Sequence, residues 1–358
     1  MSGPTRSTPT TMTGQIAISG PTIAWTAADV ETPPTGTATP MAVTLINRAG
    51  RAGPTTIGPD SLGLRLAVQH QTVVLDGGLA TQLERQGHDL SSALWSARLL
   101  ADDPQAIEDA HAAFFAAGAQ VATTASYQAS VSGFARAGID RSDAEKLIRR
   151  SVDIAARARS HSTGPTWIAG SVGPYGASLA DGSEYRGDGN QTVGELREWH
   201  RPRIAQLVDA GADVLALETI PGAAEVEALL AEVDGSGVDC WLSVTCAGDR
   251  TRAGEPAAEV FAMARGVAEV IAVGVNCTDP ADASALVGVA ATASDKPVVV
   301  YPNSGETWDA VARRWTGTAA FTSDSVRGWV RDGARLIGGC CRVAPEEIAE
   351  IARQLSHV

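Results

Sequence analysis

Two short stretches hold the residues best equipped for chemistry: GVNCT, containing Cys277, and GGCCR, containing the adjacent Cys340 and Cys341. Each ends a run of apolar, partly β-branched residues and leads towards a helix start marked by proline, Pro280 or Pro345. Three thiolates brought to one point form a soft donor set for which zinc is the leading ion, with a fourth position open to a substrate. The other two cysteines, Cys240 and Cys246, read as small buried hydrophobes. The six histidines, His70, His88, His111, His161, His200 and His357, show no HxH or HExxH spacing and none ends a strand-like run. Sulfur, or failing it carboxylate, is therefore the expected metal-binding chemistry.

Three further side chains stand where apolar runs stop. Glu218 closes VLALE, where a carboxylate needs a cationic partner, either an internal Arg or a substrate ammonium. Asp76 precedes Gly77 and Gly78 and reads equally well as a turn former or a substrate contact. Tyr127 offers a hydroxyl and a π face suited to a cationic donor, or simply a core aromatic. Gly338 and Gly339 admit a phosphate-cradle reading, against which the two thiolates that follow would repel the anion.

The elements that must position these residues alternate between strand-like and helical patterns. Strand-like runs begin at VVLD (73–76) and QVATTASY (120–127), then WIAGSVGP (167–174) and DVLALETIP (213–221). CWLSVTC (240–246), VIAVGVNC (270–277), VVVYPNSG (298–305) and RLIGGCC (335–341) complete eight. Between them lie amphipathic stretches such as Val226, Leu229, Leu230 and Val233. Eight β–α units predict a (β/α)8 TIM barrel, with an open doubly wound sheet as the alternative. Gly118, Gly211, Gly266 and Gly333 each precede an even-numbered strand and are expected to cap helices in left-handed conformation. In such a barrel the strand C-termini share one face, so Asp76, Tyr127, Glu218, Cys277, Asn303, Cys340 and Cys341 would converge.

Residues 1–68 are rich in Thr, Pro and Gly and lack a sustained period, which predicts a disordered extension before a barrel domain over 69–358. Met41–Ile46 is the one strand-like run in it, and Met41 is a possible later start. The formal charge of −13 with no basic stripe argues against a nucleic-acid partner. No apolar run reaches a membrane-spanning length, and MSGPTRSTPT lacks the apolar core of a secretory signal. Five cysteines in 358 residues do not suggest a disulfide framework; reduced thiols and a cytoplasmic location are expected. The oligomeric state is left open.

The stretches LDGGLATQLERQGHDL, TTASYQAS, AGSVGPYGASLADGSEYRGD, LALETIP, GVNCT, YPNSGE and GGCCRVAPEEI, in this order over about residues 71–355, resemble the homocysteine S-methyltransferase family. YPNSGE and the single-domain length are more similar to the branch using S-methylmethionine than to the betaine-dependent branch. The resemblance implies a zinc-dependent methyltransferase making methionine, with Cys277, Cys340 and Cys341 as ligands and S-adenosylmethionine as a possible second donor. It implies that Glu218 and Asp76 lie near the amino-acid end of homocysteine; Tyr127, Asn276 and Asn303 complete the expected substrate-binding set. Selenohomocysteine or selenocysteine as acceptor, and a non-catalytic zinc- or thiol-binding barrel, are the alternatives.

Overall fold

The structure is a computed structural model that describes residues 12–16, 23–27, 42–46, 52–56, 63–90, 96–162, 164–309, 314–320 and 324–356. Eight parallel strands close a barrel: β1 Val73–Val74, β2 Val121–Thr123, β3 Trp167–Val172, β4 Val214–Ile220, β5 Cys240–Val244, β6 Val270–Asn276, β7 Val298–Tyr301 and β8 Ala334–Ile337. Neighbours pair in sequence order, and β8 pairs with β1 through Leu336–Val73 and Ile337–Val74. The last gap is bridged at Leu75 and Val121, with Gln120 N–H donating to the Val74 carbonyl (2.8 Å). Closure excludes the open-sheet alternative.

Strand parity sorts the side chains. Val73, Trp167, Ala169, Val214, Ala216, Trp241, Val299 and Leu336 share a cluster inside the barrel. Ile168, Val172, Leu215, Leu217, Leu242 and Val244 pack outward beneath the helices. Continuing the inward parity by one step reaches Ser171, Glu218, Ser243, Asn276 and Tyr301, so the residues above the apolar layers are polar. The expected helical stripe is also present: Val226, Leu229, Leu230 and Val233 are all buried on α8 (Ala223–Val233). Asp279 caps α10 (Pro280–Ser294) by accepting from Ala281 N–H at 2.9 Å, as its place before Pro280 predicts. Of the four capping glycines, Gly118, Gly211 and Gly333 have φ of 98°, 88° and 114°. Gly266 does not join them, because the chain enters β6 through successive tight turns over Ala262–Val267.

The contacts divide the chain into residues 1–62 and 63–358. In the first unit the strand Met12–Ile16 pairs antiparallel with Ile23–Ala27, and Ala42–Ile46 with Ala52–Thr56. The strand-like run from Met41 thus forms a hairpin strand; apart from these four strands and residues 63–68, the expected disordered extension lies outside the described residues. The second unit starts at Gly63, before the boundary expected from composition. The helix Leu64–His70 buries Leu64, Ala67 and Val68 in the same cluster as the barrel interior, and so closes the end opposite the strand C-termini. Composition hides this because the helix is short and follows a Gly- and Pro-rich segment. Among the described residues, no helix is long and apolar enough to cross a membrane.

Candidate metal centre and substrate pocket

The sulfur atoms of Cys277, Cys340 and Cys341 lie within 4.8 Å of one another, the one such metal-capable group among the described residues. Cys277 follows β6 in left-handed backbone (φ 48°), held by its N–H on the Tyr301 carbonyl (3.3 Å). Cys340 N–H donates to the Pro302 carbonyl at 2.7 Å, and Cys341 N–H to Asn303 Oδ1 at 3.2 Å. The loop after β7 therefore seats both vicinal cysteines, and Asn303 is a support for Cys341. Two glycine pairs make the approach possible. A Cβ on Gly78 would stand 2.5 Å from the Cys340 carbonyl oxygen, and one on Gly338 would stand 2.6 Å from that of Asp76. Gly338 is thus spent on close packing against the end of β1 and Gly339 on packing against Val343, not on a phosphate.

The donor set fits a soft ion. Burial pushes the Cys341 thiol up to about 11, partly offset by a hydrogen bond from the Tyr185 hydroxyl, so a thiolate here calls for a cation beside it. The structure joins Cys277 and Cys340 as a disulfide (Sγ–Sγ 2.22 Å, Cα–Cα 5.5 Å) and leaves Cys341 free. A site that gathers three sulfurs for one ion also places two within bonding reach, and the disulfide and a bound metal exclude each other. Cys240 and Cys246 are buried free thiols, outside the cluster, as expected.

Glu218 lies in the polar layer above the apolar core. Ser171 Oγ donates to its Oε1, and Tyr301 Oη to its Oε2 at 3.0 Å. The internal ion pair considered from sequence is absent: buried Arg203 instead donates to the Tyr127 and Gly173 carbonyls. Burial raises the Glu218 pKa, and the hydrogen bonds and Arg203's charge only partly offset it. The carboxylate is thus costly to ionise until a cation arrives. Asn276 supports this arrangement. Its Oδ1 accepts from Thr219 N–H (2.7 Å) and Ser243 Oγ (2.8 Å), and its Nδ2 donates to Thr219 Oγ1 (2.7 Å). These bonds hold Thr219 at φ 59°, a strained setting for a β-branched residue, immediately after Glu218. The amide of Asn276 thus bonds protein groups on both its oxygen and its nitrogen.

Asp76 is buried beside β2, accepting from Thr123 N–H (2.7 Å) and Thr123 Oγ1 (2.9 Å). Burial pushes its pKa up to about 8 against those hydrogen bonds, and the charge of Glu218 adds to the rise. A carboxyl whose folded pKa is raised binds its proton more tightly than the unfolded chain does. Its stabilising contribution is full below the unfolded value near 4 and disappears as pH climbs towards 8. Asp76→Asn, which can keep both Thr123 bonds, is expected to be more stable than the parent in metal-free protein. The gap should widen by up to ~4 kcal/mol between pH 5 and pH 8, read from urea unfolding. A constant gap across that range would show that Asp76 ionises normally.

Tyr127 lies four residues past the end of β2, on a loop and not in the strand. Its Oη is buried with no hydrogen-bond partner, and its ring packs on Gly173, where a Cβ would come within 2.6 Å. Behind that loop, Glu225 accepts from Tyr175 N–H (2.6 Å) and contacts His200 Nε2 (2.8 Å), while His200 Nδ1 meets Arg203 at 3.0 Å. This buried trio, together with Thr123, Ser171, Ser243, Thr219 and Tyr301, is missing from the sequence-derived set. Inward parity was the available signal for Ser171, Ser243 and Tyr301; nothing local marked the trio.

The sequence model described as homocysteine S-methyltransferase matches residues 73–355. The chain is 44% identical over 293 residues to homocysteine S-methyltransferase YbgG of Bacillus subtilis, spanning 78% of this chain and 93% of that protein. It is 39% identical over 306 residues to a selenocysteine Se-methyltransferase of Brassica oleracea, spanning 79% and 88%. Among solved structures, the metallated form of the homocysteine methyltransferase MmuM from Escherichia coli superposes with a TM-score of 0.74 at 40% identity, covering 81% of this chain and 99% of that one.

Proposed function

The chain belongs to the homocysteine S-methyltransferase family and is a methyltransferase, and from that premise we propose that it methylates homocysteine to methionine using S-methylmethionine and a zinc ion held by Cys277, Cys340 and Cys341. The observation that carries the zinc reading is the gathering, among the described residues, of three soft donors within 4.8 Å at the barrel's C-terminal face. When bound, zinc would lower the pKa of a substrate thiol and so supply the nucleophile near neutral pH.

The protein's own side chains do the rest. Glu218 and Asp76, two buried carboxyls without a cationic partner, receive the homocysteine ammonium. Its charge offsets the burial that keeps them protonated. Ser171 and Tyr301 orient the Glu218 oxygens, and Asn276 keeps the Thr219 turn from relaxing. Tyr127 presents an unpaired hydroxyl and a ring to the donor side. Charge is annihilated when a thiolate meets a sulfonium, so a buried, water-poor pocket favours the transition state over the separated ions.

Methionine formation by reduced, zinc-loaded protein tests this reading, with S-methylmethionine, S-adenosylmethionine and betaine supplied in competition. S-Methylmethionine is expected to have the highest kcat/KM. No turnover with either sulfonium would overturn the reading. The similarity to a selenocysteine Se-methyltransferase supports one alternative acceptor, a selenol; replacing homocysteine by selenocysteine in the same assay separates the two.

A further inference from the structure

The segment between β3 and α7 (Val193–Asp209) carries two adjacent residues that the chemistry above does not use. Glu184 is only 2% exposed, and its Oε2 is buried with no hydrogen-bond partner. Tyr185 interacts with Cys341 and lies under the guanidinium of Arg252, whose Cζ is 5.9 Å from the ring centroid. The segment is fixed in place on both sides. Ser183 Oγ donates to the Gly176 carbonyl (3.2 Å), and a Cβ on Gly187 would stand 2.4 Å from Ala253 N, the residue after Arg252. Arg252 spends its Nε on Thr245 Oγ1 (3.4 Å) and pairs with no carboxylate among the described residues. Glu184 lies within electrostatic reach of Tyr127, Tyr185 and Cys341. Two orphaned buried oxygens, Glu184 Oε2 and Tyr127 Oη, thus accompany an aromatic ring and an unpaired guanidinium beside the sulfur cluster.

We propose that Glu184, Tyr185 and Arg252 form the methyl-donor half of the site and select an amino-acid sulfonium, Glu184 countering its positive charge and Arg252 holding its carboxylate. Ionising a buried carboxyl whose oxygen lacks a hydrogen-bond partner is costly, and a cationic ligand offsets that cost. An aromatic face next to it suits a soft, diffuse cation. This assignment rests on the function proposed above. In the transfer the donor's S–CH3 bond breaks and its electron pair stays on that sulfur, which becomes a neutral thioether. The new S–CH3 bond uses a lone pair of the homocysteine thiolate, whose proton has already left to solvent.

The test uses two donors, S-methylmethionine and trimethylsulfonium, the second lacking any carboxylate. Glu184→Gln is expected to raise the KM of both donors by roughly tenfold or more, the loss of a charge-assisted contact. Arg252→Met is expected to raise the KM of S-methylmethionine relative to that of trimethylsulfonium by about tenfold. The KM of homocysteine and the metal content should stay within about twofold in both variants, since neither residue touches the acceptor. If the parent protein uses neither sulfonium, the proposed function fails. If the parent is active and both variants keep parental donor KM values, the function stands and this assignment is overturned. Should Glu184→Gln fail to fold, the half-exposed Arg252 position carries the decision alone.

Discussion

Replacing Cys340 by Ser is expected to remove bound metal and methyl transfer together. Apparent binding free energies of about 10–16 kcal/mol for structural zinc, shared over four ligands, make each thiolate worth roughly 3 kcal/mol, or about a hundredfold in affinity. Serine offers a hard, protonated oxygen in the same place, and Cys341 cannot compensate because Asn303 and the turn at Arg342 (φ 66°) fix its direction. Metal content by elemental analysis and methionine formation should therefore fall in parallel. The control is Cys246→Ala, a buried thiol outside the cluster, which should retain both. A Cys340→Ser protein that turns over at the parental rate without metal would remove the three-thiolate site from the mechanism.

Glu218→Gln is expected to produce the second largest loss, of a different kind. The amide keeps a hydrogen-bonding partner for Ser171 and for Tyr301 but carries no charge for an ammonium. A charged hydrogen bond is worth about 1.5–3 kcal/mol, so the KM for homocysteine should rise roughly 10- to 100-fold while metal content is unchanged. A fall in kcat with KM preserved would instead place Glu218 at the reacting atoms and away from the amino-acid end. The variant should be no less stable than the parent, because it removes a carboxyl whose ionisation burial opposes.

These two residues were legible in the sequence for a common reason. Cysteine at a strand end and glutamate at the end of an apolar run both break the local pattern, and eight β–α units place such breaks on one face. Family resemblance added the acceptor and an expectation for the methyl donor. Asn276 was visible as a residue but not in its task, since only the structure shows its amide turned onto Thr219 and Ser243. Asn303 likewise supports Cys341. The Cys277–Cys340 pairing was not legible, because thiols 63 positions apart announce no partner. Nor was the Glu225–His200–Arg203 trio, which forms between two helices and two loop carbonyls. Its members look, in sequence, like an ordinary charged helix face. The helix Leu64–His70 escaped because its three buried apolar residues gain meaning only as a plug for a barrel.

The glycine seam between the first and last strands has a consequence for how the protein is made. Cys340 and Cys341 follow β8 by three and four residues, and the Cys340 and Val343 carbonyls rest against Gly78 and Gly77 just past β1. A ribosome delivers β1 long before β8, at about 5–20 residues per second, so Asp76 and the first glycine pair wait for partners that emerge last. The sulfur cluster can be completed only at the moment the ring closes. Metal capture is then a late step in biogenesis, and a nascent chain arrested before β8 would expose the unpaired flank of β1 with Cys277 alone, unable to retain an ion.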